Sequence, residues 1–92
     1  MSKIKEQEYS DVDELIENQH TVIVWNDNFN TFEHVIDCLV KYCGHKSDQA
    51  EQCAWIIHFK GKSDVKRGDK ETMHRVYRKL IACNLTATVE ES

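Results

Sequence analysis

The sequence predicts an α+β domain, a two-layer sandwich in which three helices cover one face of a three-stranded antiparallel sheet. Three segments repeat apolar residues at helical spacing, and three short segments beside them can form strands. Their order along the chain is β-α-α-β-α-β, which suits helices that pack on one side of a small sheet. No internal repeat interrupts this order, so a single core domain is expected.

The first strand is predicted at residues 20–25, where the run Thr-Val-Ile-Val-Trp is β-branched and aromatic. It ends at residues 26–28, Asn-Asp-Asn, which are types that favour turns. A helix is then expected, with Asn30 as its N-cap, Glu33 as the capping-box partner and Gly44 just past its end. The apolar stripe of this helix comprises Phe32, Val35, Ile36, Leu39, Val40 and Cys43.

The second helix is predicted to have Ser47 as its N-cap and Asp48 in its first turn, where the helix dipole favours a negative charge. It runs to about Phe59 and ends before Gly61. Its apolar face comprises Ala50, Cys53, Ala54 and Ile57.

Residues 62–68 are polar apart from Val65, which predicts an exposed edge strand or a loop. Asp69 is expected to cap the third helix. Residues 84–89 resemble a final strand, and a short tail follows. The apolar face of the third helix comprises Met73, Val76, Tyr77, Leu80 and Ile81.

Charge separates the start of the chain from the rest. The 92 residues carry 12 Lys and Arg against 16 Asp and Glu, for a net charge of −4. Residues 1–20 hold two lysines and six acids, so the whole excess lies there and the remainder is balanced. We therefore predict a flexible acidic extension over residues 1–19 and a core domain over residues 20–92.

Several classes of protein are excluded by composition. No apolar run approaches the ~18 residues of a membrane span, and no secretory signal precedes the core, so a cytoplasmic location without a membrane partner is expected. The four cysteines form no C-x-x-C pair, and only Cys43 and His45 are close in sequence, which predicts buried reduced thiols and no metal site. Because no catalytic triad order or glycine-rich phosphate loop occurs, we expect no enzymatic activity and no cofactor.

Three features remain as candidate sites. The run of residues 26–28 is either turn chemistry or a cluster of acceptors for a cation. His58 is either a histidine of the core or an interface, or a functional one. Residues 58–79 carry an excess of basic side chains, which suits a solvated face, a docking face for an acidic protein or, as a further alternative, phosphate binding.

Three segments, in order along the chain, resemble the ClpS adaptor family. Residues 22–33, Val-Ile-Val-Trp-Asn-Asp-Asn-Phe-Asn-Thr-Phe-Glu, resemble its strand followed by Asn-Asp-Asp-Tyr-Thr-Pro-Met-Glu. Residues 57–62, Ile-His-Phe-Lys-Gly-Lys, together with Gln-Ala-Glu-Gln at 49–52, resemble its helix that ends in Val-His-x-x-Gly-Lys. Residues 85–90 are similar to its last strand, so the resemblance covers residues 20–91.

The resemblance implies a non-enzymatic adaptor with a fold similar to the C-terminal domain of the ribosomal stalk protein. Such adaptors bind N-degrons, meaning bulky hydrophobic N-terminal residues of substrate proteins, and deliver them to a Clp-family AAA+ unfoldase of the ClpA or ClpC type. By the match, Asn26, Asp27 and His58 bind the α-amino group, and Glu71 faces the unfoldase. The side-chain pocket comprises Asn28, Asn30, Phe32, Val35, Ala54, Ile57 and Leu85.

The chain departs from the family pattern at several of these positions. Asn28 replaces the second Asp, Phe32 stands where Met is usual, and Ala54 stands where the family often has a Met that gates the pocket. A reshaped pocket is expected, which leaves the preferred first residue open. Two alternatives remain: a diverged module that docks on the unfoldase without reading N-termini, and a nucleic-acid-binding domain that uses the basic residues 60–79.

Overall fold

The computed structural model describes residues 19–91, in which three strands and three helices follow one another in the predicted order. The elements are β1 (Gln19–Trp25), α1 (Phe32–Cys43), α2 (Ser47–Lys60), β2 (Lys62–Asp69), α3 (Lys70–Ala82) and β3 (Thr86–Glu91). The predicted acidic extension lies outside the described residues, except for Gln19, which begins β1. The predicted fold class, an α+β sandwich with an antiparallel sheet, is confirmed.

The sheet has the order β2-β1-β3, with both outer strands antiparallel to β1. Because alternate side chains of a strand point to one face, Val22 and Val24 of the central strand are buried in the core. The polar segment after Gly61 is indeed an edge strand, and its charged side chains suit an edge exposed to water. β3 continues to Glu91 through pairing with β1, so the residues predicted as a tail are mostly strand.

A β-bulge interrupts the pairing of β1 with β2. Val22 pairs with Lys66 and Ile23 pairs with Asp64, so Val65 is an extra residue that opposes no partner. Its side chain is buried, and its carbonyl oxygen accepts a hydrogen bond from His45 Nε2 at 2.6 Å. His45 lies between α1 and α2, so this bond fixes that connection to the edge strand.

Two of the predicted helix N-caps are wrong. The N-cap of α1 is Thr31, whose hydroxyl accepts from the backbone N–H of His34 at 3.1 Å, because the amide of Asn30 is engaged elsewhere. The capping box of Asn30 with Glu33 therefore does not form. Ser47 is already inside α2, and Lys46 precedes it as an N-cap with no side-chain hydrogen bond.

The other helix ends form as predicted. Gly44 and Gly61 end α1 and α2 with φ of 71° and 93°, the left-handed region that glycine enters without strain. Asp69 caps α3 by accepting from the backbone N–H of Thr72 at 3.0 Å. Gly61 matters most for the site, because its carbonyl oxygen accepts a hydrogen bond from the backbone N–H of Asn26, the residue that follows β1.

The core lies between the sheet and the three helices. Its largest fully buried side chains are Leu39, Met73, Leu80, Val22 and Val24. The four cysteines are free thiols, of which Cys38 and Cys43 are buried while Cys53 and Cys83 are partly exposed, so the prediction of buried thiols is confirmed for the first two. None of the helices in residues 19–91 is long and apolar enough to span a bilayer.

Candidate functional site

A cavity of about 400 Å³ opens where the end of β1, the start of α1 and the second half of α2 meet. It brings together nearly all of the residues that the sequence analysis selected for binding. Trp55 is the lining residue that the sequence analysis missed. The lining comprises Asn26, Asp27, Asn28, Asn30, Phe32, Val35, Ala54, Trp55, Ile57 and His58.

Asp27 holds the loop between β1 and α1 in shape. Its Oδ1 accepts from the backbone N–H groups of Phe29 and Asn30, both at 2.9 Å. Its Oδ2 accepts from Asn30 Nδ2 at 2.7 Å and from the hydroxyl of Thr86 at 2.9 Å. This Asx-type arrangement ties the loop to the start of β3 and gives the cavity a fixed rim.

The same contacts keep Asp27 ionised. Partial burial acts to raise the pKa of its carboxyl, but the hydrogen bonds from the backbone of Asn30 and Phe29 and from the side chains of Asn30 and Thr86 outweigh burial. The net effect lowers the pKa of Asp27 below its usual value of 3.8. The cavity therefore carries a negative charge at neutral pH.

A backbone hydrogen bond brings Asn26 and His58 to the same end of the cavity. The N–H of Asn26 donates to the carbonyl oxygen of Gly61 at 2.8 Å, which joins the end of β1 to the end of α2. His58 lies one turn before Gly61, and its ring meets those of Trp55 and Phe59 edge-on, with centroids 6.3 and 5.1 Å away. Both Asn26 and His58 are exposed to solvent, so a ligand can reach their polar atoms.

Most of the remaining lining of the cavity is apolar. Ala54 and Ile57 are buried in its floor. The Phe32 ring lies against Trp55 with centroids 4.7 Å apart, and Trp55 stacks on Phe59 at 5.2 Å with the planes nearly parallel. Trp55 is 45% exposed although it is a large aromatic residue, which leaves ring surface available for contact.

Trp55 was not predicted because it lies off the stripe of small apolar residues that marks the buried face of α2. The signal that identifies it is a bulky aromatic residue directly after Ala54, outside the buried stripe of α2. Such a side chain can cover the opening that a neighbouring alanine leaves. The sequence pattern alone reports only which side of the helix is buried.

Two of the residues that the sequence predicts to be functional lie away from the cavity. Leu85 is buried in the core, just before β3, and does not line the cavity. Glu71 lies in the first turn of α3, where its carboxylate is 3.8 Å from the Arg75 guanidinium and strongly exposed.

Part of the basic stretch is engaged within the molecule. Lys66 Nζ donates to the carbonyl oxygen of Cys43, and Arg67 pairs with Asp64 at 3.5 Å. Lys62 lies over the Trp25 ring, with its Nζ 4.8 Å from the centroid. Because these three basic side chains are engaged in contacts within the molecule, they do not contribute to a common phosphate-binding surface.

The cavity thus combines acceptors and a negative charge with an apolar wall. This pairing fits a cationic group attached to an apolar one. The geometry is that of a binding site.

The sequence profile of one family matches residues 16–88 of the chain, and its description is "ATP-dependent Clp protease adaptor protein ClpS". Relatives named ATP-dependent Clp protease adapter protein ClpS are similar over much of their length. That of Thermosynechococcus vestitus is 38% identical over 73% of this chain and 72% of its own. That of Synechocystis sp. is 42% identical over 71% of this chain and 67% of its own.

A solved structure has a similar fold. It is Agrobacterium tumefaciens ClpS2 bound to L-phenylalaninamide, with a TM-score of 0.76 over 83% of this chain and 99% of that chain. The sequences are 16% identical, so this likeness concerns the arrangement of strands and helices.

Proposed function

The chain belongs to the ClpS family of ATP-dependent Clp protease adaptor proteins, which are not catalytic enzymes, and we propose that its cavity binds N-degrons. These are the bulky hydrophobic first residues of substrate proteins. The observation that carries the proposal is the meeting of Asn26, Asp27 and His58 with an aromatic and aliphatic wall in one cavity. A chain terminus presents both partners together, because its α-amino group is one bond from the carbon that bears the first side chain.

The polar end of the cavity suits an α-ammonium group. An ammonium has three N–H donors and no acceptor, so it needs acceptors on several sides. Asn26 offers its amide oxygen and His58 a neutral ring nitrogen, and both are accessible. Each oxygen of Asp27 already accepts two hydrogen bonds from the protein, so Asp27 acts mainly through its charge.

The apolar end suits the first side chain. Burying a Leu or Phe side chain against Val35, Ala54 and Ile57 stabilises the complex by about 1.5–3 kcal/mol. Trp55 and Phe32 add an aromatic edge to this pocket, which favours contact with an aromatic first residue. Together with hydrogen bonds to a charged group, this gives an affinity on the order of micromolar. The L-phenylalaninamide bound by the structurally similar ClpS2 joins the same two chemical groups.

The proposal includes delivery of the bound substrate to a Clp-family AAA+ unfoldase of the ClpA or ClpC type. Glu71 is the residue we assign to that contact. It lies on α3, outside the cavity, with its carboxylate group 86% exposed. Substrate and unfoldase would therefore occupy separate surfaces.

A peptide-binding experiment tests whether the chain recognises a free N-terminus. A fluorescently labelled peptide that begins with Phe is titrated with the full chain and its anisotropy recorded, beside the same peptide acetylated at its N-terminus. We expect micromolar binding of the free peptide and no measurable binding of the acetylated one, because acetylation removes the charge and two donors. Asn26→Ala and His58→Ala should each weaken binding about tenfold or more.

His74→Ala is the matched control for His58→Ala. The His74 ring lies on α3, where its Nδ1 is 2.9 Å from the carbonyl oxygen of Lys70, and it does not line the cavity. This variant should bind like the unchanged protein. Equal affinity for free and acetylated peptides would contradict N-degron recognition and favour the alternative of a module that docks on the unfoldase without reading N-termini.

A further inference from the structure

Three side chains that can ligate metals converge where α1 meets the end of α3. His34 and Cys38 lie four residues apart on α1, which places them on one face of the helix, and Cys83 follows the last residue of α3. The two Sγ atoms and a ring nitrogen of His34 all lie within 4.8 Å of one another. None of the three lines the cavity described above.

We propose that His34, Cys38 and Cys83 bind a zinc ion. A tetrahedral zinc site has Zn–S distances of about 2.3 Å and Zn–N distances of about 2.0 Å, which separates neighbouring ligand atoms by about 3.5–3.8 Å. Cys38 Sγ is already 3.5 Å from His34 Nε2, at the lower end of this range. The remaining separations between ligand atoms have to close by at most about 1.3 Å, which side-chain rotation can supply.

The ligand types favour zinc over the hard cations. Thiolate and imidazole are soft or borderline ligands, whereas magnesium and calcium take oxygen. Two thiolates also balance the charge of one Zn²⁺. Because Cys83 is only partly buried, solvent can supply the fourth ligand, which gives the Cys₂His arrangement with one open position.

The hydrogen bonds that these side chains make show which contacts metal binding has to replace. His34 Nε2–H donates to the carbonyl oxygen of Cys83 at 2.7 Å, and the thiol of Cys83 donates to the carbonyl oxygen of Leu80 at 3.2 Å. Burial, together with the neighbouring Cys83, raises the pKa of the Cys38 thiol to about 12. On binding, each thiol gives its proton to solvent and forms a bond to the metal, while the His34 proton moves to Nδ1.

Cobalt titration of the reduced full chain tests the site. Co²⁺ substitutes for Zn²⁺ and gives an absorption band from thiolate-to-cobalt charge transfer. We expect one equivalent of Co²⁺ to produce this band in the unchanged protein and added Zn²⁺ to abolish it. Cys83→Ser should reduce the affinity for Zn²⁺, measured against a competing chelator, by about tenfold or more.

Cys53→Ser is the matched control, because Cys53 is also a partly exposed free thiol but lies outside the cluster. This variant should give the same charge-transfer band with Co²⁺ and the same affinity for Zn²⁺ as the unchanged protein. Circular dichroism shows whether Cys83→Ser still folds. His34→Gln is a second ligand variant, so the test can still be made if Cys83→Ser does not fold. No charge-transfer band in the unchanged protein, or an equal band in His34→Gln, would overturn the proposal.

Discussion

At the scale of single residues, Asp27 is both a structural and an electrostatic group. Its carboxylate receives four hydrogen bonds from the loop that follows β1 and from Thr86. Asp27→Ala leaves the donors of Phe29, Asn30 and Thr86 without this acceptor. We expect the free energy of unfolding at pH 7 to fall by about 1–2 kcal/mol, measured by urea denaturation. The affinity for a Phe-initiated peptide should fall as well.

The stability effect of Asp27 should depend on pH. Because the pKa of Asp27 is lower in the folded chain than the usual 3.8, its carboxylate stabilises the fold fully at pH values above 3.8. The stabilisation is lost as pH falls through the folded pKa, so the gap between the unchanged protein and Asp27→Ala should narrow towards about pH 2. Asp64→Ala, which removes an exposed ion pair with Arg67, is the control and should change stability by about 0.5 kcal/mol or less. A gap that is the same at both pH values would contradict this role.

Some residues of the cavity could be predicted from the sequence, and others could not. Asn26, Asp27 and His58 were predictable because each stands in a motif that resembles the family pattern. Trp55 was not, since its contact with Phe32 depends on how α1 and α2 pack. The cluster of His34, Cys38 and Cys83 was not predicted for a related reason: its third member, Cys83, is 45 positions from Cys38, whereas zinc motifs are recognised in a sequence by short spacings between ligands.

At the scale of elements, the bulge in β2 is joined to the connection between α1 and α2 by a hydrogen bond. Val65 is buried, and its carbonyl oxygen accepts a hydrogen bond from His45 Nε2 at 2.6 Å. His45→Ala should lower the free energy of unfolding by about 1–3 kcal/mol, because a buried acceptor is left unsatisfied. Chemical denaturation measures the difference.

His74→Ala is the comparison for this variant, since the His74 ring also meets a backbone carbonyl, at Lys70, but on an exposed part of α3. It should change the free energy of unfolding by about 0.5 kcal/mol or less. If both variants lose the same amount, the burial of the His45 contact is not what stabilises the bulge.

The elements themselves were predictable while their ends were less so. Apolar spacing located all three helices, because a helix that packs on a sheet needs a continuous buried stripe. The choice between Asn30 and Thr31 as N-cap was not decided by the sequence, since both residue types cap helices. It depends on Asp27 and the carbonyl of Asn84, which both hold the Asn30 amide. The bulge likewise leaves no mark in the sequence of a strand that is polar apart from Val65 itself.

At the scale of the whole molecule, the fold follows from local patterns, while the site follows from tertiary contacts. Helices on one face of the sheet leave the loop after β1 and the end of α2 adjacent, and the bond from Asn26 to Gly61 closes that junction. The cavity therefore forms from segments about 30 residues apart in the sequence. The first turn of α3 does not contribute to it, which separates Glu71 from the cavity.

This separation predicts that delivery can be lost without loss of peptide binding. Glu71→Lys reverses an exposed charge and removes one i, i+4 pair with Arg75, which costs about 0.5 kcal/mol or less. We expect the variant to bind a Phe-initiated peptide normally but to support much slower degradation of a Phe-initiated reporter protein by a purified Clp unfoldase and its peptidase. Glu33→Lys, at an exposed acid in the first turn of α1, is the control and should retain delivery. Normal delivery by Glu71→Lys would remove α3 from the unfoldase contact, whereas loss of peptide binding in the same variant would mean that the two surfaces are coupled through the core between them.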